Sequence, residues 1–149
     1  MRMVYLASDH AAFKAKNEIA AFLESAGISY EDLGPQELIK DDDYPDYAFS
    51  VGEKVAAEEG AKGILLCGSG TGICIAANKV KGVRAAYVES KKHALVARED
   101  DDANIIVLDS LTFDPATDLE IIETFLNTPF SNADRHIRRI KKITDYENE

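Results

Sequence analysis

The sequence predicts a three-layer α/β/α domain around a five-stranded parallel sheet. Three observations carry that expectation. Short apolar runs alternate with helix-patterned stretches along the whole chain, the order that yields a parallel sheet with helices on both faces. The run Gly63-Ile64-Leu65-Leu66-Cys67 is continuously apolar, which suits a strand covered on both sides. Turn residues, Gly27 and Gly34-Pro35 among them, punctuate these stretches where a helix or strand must stop.

Element by element, Val4 to Ala7 is a short buried strand that ends in Ser8-Asp9, residues suited to starting a helix. A helix over 12–26 follows, with Ile19, Phe22, Leu23 and Ala26 at helical spacing. Ile28 to Leu33 reads as the second strand. The polar, acidic stretch 36–43 reads as a surface loop closed by Asp43-Tyr44-Pro45-Asp46, and a helix over 47–59 presents Val51, Val55 and Ala56. Gly63 to Cys67 is the third strand, Gly68 to Gly72 a turn, and 73–79 a helix. A fourth strand over 83–88, a helix over 91–98 and a fifth strand over 105–108 come next. Helices over 115–127 and 132–146 end the chain. Right-handed crossovers in such a Rossmann-like sheet bring the C-terminal ends of the strands to one edge, where ligands bind at the switch in strand order. The first and third strands should be neighbours there.

Composition narrows the classes of function. A chain of 149 residues forms one domain, 1–149, large enough to bury a core without metals or disulfides. Cys67 and Cys74 are seven apart, which is neither a disulfide framework nor a zinc spacing, so two free thiols in a reducing compartment are expected. No apolar run approaches the roughly 18 residues that span a bilayer, and Met1 to Leu6 is too short for a signal segment, so a cytoplasmic location is expected. A net charge of −10 argues against a nucleic-acid partner. Positive charge is concentrated in Arg135, Arg138, Arg139, Lys141 and Lys142, where a chain this acidic can hold an anionic ligand.

The most specific motif is Cys67-Gly68-Ser69-Gly70-Thr71-Gly72, between a buried strand and a helix. Glycines let backbone N–H groups turn toward a ligand with no Cβ in the way, which makes an anion cradle for a phosphate or for an oxyanion formed during reaction. It fits neither a dinucleotide fingerprint, whose third glycine falls on Ile73, nor a Walker loop, which ends in Gly-Lys-Ser/Thr. Cys67 stands against the cradle, where a thiol beside a helix start can act as a base toward a carbon-bound proton. A small buried core residue is the competing reading for Cys67, and is the one adopted for Cys74. Asp9 suits a helix cap as well as a ligand contact, while His10 suits donation to a phosphate or a sugar oxygen. Arg135 and Arg139, four apart, share a helix face and can grip one phosphate, unless they form a solvated basic face. Ile137, Ile140 and Ile143 form the apolar stripe of the same helix.

Taken together, Asp9-His10, Asp43-Tyr44-Pro45, the run Cys67 to Lys79, Gly82-Val83-Arg84-Ala85 and Arg135-His136-x-x-Arg139 resemble the type B ribose-5-phosphate isomerase and galactose-6-phosphate isomerase family over nearly the whole chain. The resemblance implies interconversion of aldose and ketose phosphates through an enediolate, with no metal and no cofactor. It implies Cys67 as the base moving a proton between C1 and C2, and a cradle from Gly68 through Ser69, Gly70 and Thr71 to Gly72 that holds the enediolate. Asp9, His10 and Tyr44 would surround the sugar, and Arg135, His136 and Arg139 would lie toward the phosphate. It also implies a homodimer, or a dimer of dimers, with shared sites.

Two positions depart from the family pattern. Asp100-Asp101 stands where the family has His-Asn, the histidine being its usual acid for opening the furanose ring. Leu111 stands where an arginine usually helps to bind phosphate. The catalytic set implied for this chain is therefore Cys67, Ser69 and Asp100, with Asp101 among the substrate contacts. An isomerase of ribose 5-phosphate is expected. The alternatives are an isomerase of a related sugar phosphate, such as galactose 6-phosphate or allose 6-phosphate, or a non-catalytic sugar-phosphate-binding subunit.

Overall fold

The computed structural model describes residues 2–149. Its elements are β1 (Val4–Ser8), a short 3-10 turn (His10–Ala12), α1 (Phe13–Ser25), β2 (Tyr30–Asp32), α2 (Tyr44–Ala57), β3 (Lys62–Cys67) and α3 (Thr71–Ala77). They continue with β4 (Ala85–Tyr87), α4 (Lys91–Asp101), β5 (Ile105–Asp109), α5 (Pro115–Asn127) and α6 (Asp134–Glu147). The five strands form one parallel sheet in the order β2-β1-β3-β5-β4.

Alternation along the strands divides the core into two layers. Leu6, Ile64, Leu66, Ile106 and Leu108 face α1, α4 and α5, meeting Ile19, Leu23, Ala94, Ala97, Ile122 and Phe125. Tyr5, Ala7, Leu65, Cys67, Ile105 and Val107 face α2 and α3, meeting Val51, Val55, Ile73 and Ala77. Gly63 is required where the sheet meets α2, because a Cβ there would stand 2.8 Å from Ile105 Cγ1 and 2.9 Å from Val51 Cγ1. Lys16 is buried within α1, and its ammonium is bonded to Asp32 at 2.5 Å, which offsets the cost of a buried charge.

Several boundaries differ from the sequence expectation, each for a local reason. The second helix starts at Tyr44, not at residue 47, because Pro45 occupies its first turn, where a missing N–H costs nothing. The third starts at Thr71, since Gly70 at φ +77° turns the chain directly from loop to helix. The fourth runs on to Asp101 and stops at Asp102 in the left-handed region. The outer strands β2 and β4 are three residues each, shorter than the expected spans 28–33 and 83–88, because each has a neighbour on one side only.

The chain leaves β1 toward β2 and leaves β3 toward the other edge, so the switch point lies between β1 and β3. Their register pairs Ser8 with Leu66, which sets Asp9-His10 beside Cys67 and the glycine turn.

Candidate active site

The glycine turn is fastened from both sides. Asp9 donates its backbone N–H to Leu66 O at 3.3 Å, while Ser110 donates to the carbonyls of Cys67 and Gly68, both at 3.1 Å. Within the turn, the Gly70 N–H points at Cys67 Sγ, 3.2 Å away, and the Ser69 hydroxyl accepts the Thr71 N–H at 3.2 Å. Cys67 is buried; Ser69 and Thr71 are exposed. The sulfur thus has a backbone donor aimed at it, at the lip of a loop of N–H groups. Gly70 and Gly72 are fixed by what covers them. A Cβ on Gly70 would meet the Tyr87 ring at 2.8 Å, and one on Gly72 would meet Tyr44 Cζ at 2.5 Å. Tyr44 therefore lies against the turn.

Asp9 is 7% exposed, and its Oδ1 is a buried side-chain oxygen with no hydrogen-bond partner among the described residues. The expected helix-capping role is not realised: Asp9 precedes the 3-10 turn without a side-chain cap bond. Burial pushes its carboxyl up from the ordinary value, with the His10 charge opposing. An orphaned acceptor at a strand end is what a ligand hydroxyl would satisfy.

His10 has a partner that sequence reading did not single out. Asp42 Oδ1 lies 2.6 Å from His10 Nδ1 and also accepts the His10 backbone N–H at 3.0 Å, while Asp42 Oδ2 accepts the Tyr47 hydroxyl at 3.0 Å. The Asp42 side chain is only 7% exposed. The hydrogen bond to Asp42 raises the His10 pKa above its ordinary value. Asp42 itself is lowered: burial pushes its pKa upward, and its bonds to His10 and Tyr47 outweigh that push. Burial, then the bond to Asp42, pushes the Tyr47 phenol up to about 12. Asp9, His10 and Asp42 also bring one donor atom each within 4.8 Å of one another, close enough to share a cation. The short Nδ1–Oδ1 bond already satisfies His10 without one.

The wall beyond the turn is a second polar group, also outside the sequence expectation. Asp109, opposite Cys67 in the sheet register, accepts the Tyr87 hydroxyl at 2.5 Å, the Thr112 N–H at 2.7 Å and the Thr112 hydroxyl at 2.8 Å. These bonds pin the segment on which Leu111, 78% exposed, projects.

The remaining predicted site residues lie elsewhere. Helix α4 runs from the C-terminal end of β4 to the N-terminal end of β5, so Asp100 and Asp101 stand at the sheet edge opposite Cys67. Four residue steps of β5 separate the two edges, roughly 13 Å at about 3.3 Å per residue. Asp100 Oδ1 is 3.2 Å from His136 Nε2, and this contact anchors the first turn of α6 at that edge. Arg135 and Arg139 are exposed on the same helix, and Ile137 and Ile143 of its apolar stripe are 45% and 56% exposed. One chain thus gathers Asp9, His10, Tyr44 and Cys67 to Gly72, and carries Asp100, Asp101, Arg135, His136 and Arg139 on the far side.

Comparison with known proteins adds three findings. The family model described as Ribose/Galactose Isomerase matches residues 4–143. Ribose-5-phosphate isomerase B of Mycolicibacterium paratuberculosis is 42% identical over 144 residues, covering 97% of this chain and 91% of that protein. Its counterpart in Mycobacterium tuberculosis is 40% identical over 144 residues, covering 97% and 89%. Among solved structures, ribose-5-phosphate isomerase B of Mycoplasma genitalium with bound ribulose-5-phosphate superposes with a TM-score of 0.94 at 43% identity, covering 99% of this chain and 97% of that one. Type B ribose 5-phosphate isomerase of Trypanosoma brucei gives 0.92 at 43% identity, covering 98% and 99%.

Proposed function

This chain belongs to the ribose/galactose isomerase family, and from that premise we propose that it interconverts ribose 5-phosphate and ribulose 5-phosphate, with Cys67 as the base. The observation that carries the reading is the Gly70 N–H aimed at Cys67 Sγ, 3.2 Å away, inside a turn that both neighbouring strands fasten.

The chemistry follows from charge development. Removing the C2 proton of the open-chain aldose leaves an enediolate whose negative oxygen needs donors already in place. The backbone N–H groups of Gly68 to Gly72 supply them at no reorganisation cost. Cys67 takes the proton from C2 and returns it to C1, while a hydroxyl proton passes between O2 and O1. No net electron transfer occurs. Asp9, with its unpartnered Oδ1, and Tyr44 hold the sugar hydroxyls. Opening of the furanose falls to His10, whose pKa the bond to Asp42 raises, or to the His136–Asp100 pair of a second copy.

That second copy has a physical basis. Arg135 and Arg139 stand at the edge opposite Cys67, and the apolar stripe of α6 faces water in a single chain. A dimer covers the stripe and brings both arginines to the neighbour's phosphate site. The assembly is a homodimer or a dimer of such dimers, working in the cytoplasm. One observation favours a second substrate. Exposed Leu111 in place of a cation, beside the reaction turn, suits a sugar phosphate of another shape, such as galactose 6-phosphate or allose 6-phosphate. Turnover of purified protein on a panel of pentose and hexose phosphates decides the matter: ribose 5-phosphate should give the highest kcat/KM, and a hexose phosphate exceeding it would overturn the assignment.

A further inference from the structure

A cavity of about 600 Å³ opens at the N-terminal edge of the sheet, beneath β1 and β3 and away from the glycine turn. Arg2, Lys62 and Arg98 line it, together with an apolar wall of Val4, Ile28 and Leu126, and no carboxylate is among its lining residues. In a chain of net charge −10 that is an unexpected gathering of like charge.

The neighbouring carboxylate compensates Arg98 but makes no ion pair with Arg2 or Lys62 among the described residues. Asp102 lies close by, but its carboxylate already serves two guanidinium groups, Arg98 at 2.7 Å and Arg84 at 3.1 Å. Buried Arg98 also donates to Thr128 O at 3.0 Å and Ala103 O at 2.7 Å, so it is a fixed positive wall of the cavity. Lys62 has no carboxylate partner among the described residues; its one bond is a long 3.5 Å contact to Gly60 O. Arg2 lies over Gly60, where a Cβ would come within 2.7 Å of its Cδ and Nε, and that glycine is what lets the guanidinium reach the mouth. Burial, and then the Arg98 charge, hold the Lys62 ammonium below its ordinary pKa. Arg2 and Lys62, without a carboxylate partner among the described residues and set beside the Arg98 guanidinium, are relieved by an anion that enters the cavity.

We infer that the cavity bounded by Arg2, Lys62 and Arg98 is a second anion site, for a phosphate monoester or similar dianion bearing a small apolar group. The phosphate meets the three cations, and the apolar group lies on Val4, Ile28 and Leu126. The site is separate from the reaction turn and stands independently of the proposed isomerase activity. Its occupancy would tie down the start of β1 and β3 and the end of α5.

Phenyl phosphate is a suitable probe, titrated into the full-length protein at constant ionic strength while backbone amide chemical shifts are followed. Gly60, Lys62, Asn127 and Thr128 should shift saturably, with a midpoint distinct from that of residues 68–72. Lys62→Met and Arg2→Gln should each weaken the cavity midpoint by about tenfold or more, leaving the reaction-turn shifts and the kcat and KM for ribose 5-phosphate unchanged. Absence of saturable shifts at the cavity overturns the inference, including the case in which a second copy of the chain covers it. So do equal shifts with sodium chloride, or midpoints that neither variant moves.

Discussion

Gly70→Ala tests whether the reaction turn is built as described. The substitution acts twice. Alanine at φ +77° costs about 1–2 kcal/mol of backbone energy. Its Cβ would also stand 2.8 and 2.9 Å from two atoms of the Tyr87 ring and 3.4 Å from Leu108 O. That ring cannot swing aside freely, because its hydroxyl is bonded to Asp109 at 2.5 Å and Glu89 at 3.0 Å. Giving up a bond to a charged partner costs about 1.5–3 kcal/mol, so the total loss should be about 2.5–5 kcal/mol. For a chain of this size that corresponds to a fall in Tm of about 5–20 °C. Moving the Gly70 N–H off Cys67 Sγ should also lower kcat/KM by about 100-fold at a temperature where the protein remains folded. Calorimetry and steady-state kinetics read the two effects separately. In a Tyr87→Ala background, Gly70→Ala should cost the backbone part alone, which a double-mutant cycle isolates. A Tm within about 1 °C of the parent, with kcat/KM within about twofold, would refute the reasoning.

Three further perturbations follow from the site. Asp42→Asn removes the hydrogen bond that raises the His10 pKa, so the His10 titration followed by NMR should move down toward about 6.5. Because the folded pKa of His10 is raised, its contribution to stability is complete below the unfolded value and is lost as pH rises through the folded one; in Asp42→Asn that dependence should vanish. Arg135→Ala and Arg139→Ala should each raise KM for ribose 5-phosphate by about 30-fold or more, since an arginine–phosphate contact is worth about 2 kcal/mol or more; an unchanged KM in both places the phosphate elsewhere. Light scattering should find at least a dimer, and a fully active monomer at assay concentration would contradict the shared site.

Legibility in the sequence tracked how local the cause was. The central strands β1, β3 and β5 were readable because burial on both faces demands unbroken apolar runs. The starts of α2 and α3 were not, because Tyr44-Pro45 and Thr71 satisfy both loop and first-turn geometry until packing selects one. The glycine turn was legible for the same local reason as the strands. Asp42 was not: it sits in an acidic run that suits a solvated loop, and its contact with His10 spans 32 residues. Asp109 likewise falls just past the expected fifth strand, 105–108, and only the register with Cys67 shows it supporting the wall. The placement of Asp100 and Arg135 away from Cys67 follows from the direction of α4, which residue types alone do not reveal.

The most direct test of the account compares Cys67→Ala with Cys74→Ala. Cys74 is half-buried, with its sulfur 3.7 Å from Ala85 O, and points to packing. Isomerisation of ribose 5-phosphate and equilibrium binding of a non-reactive sugar phosphate should be measured on both variants. Cys67→Ala should lower kcat by at least about 100-fold while binding changes by no more than a few fold, because the sulfur acts on the moving proton. Cys74→Ala should retain near-parental turnover. Parental turnover in Cys67→Ala, or equal loss in the two variants, would contradict Cys67 as the base.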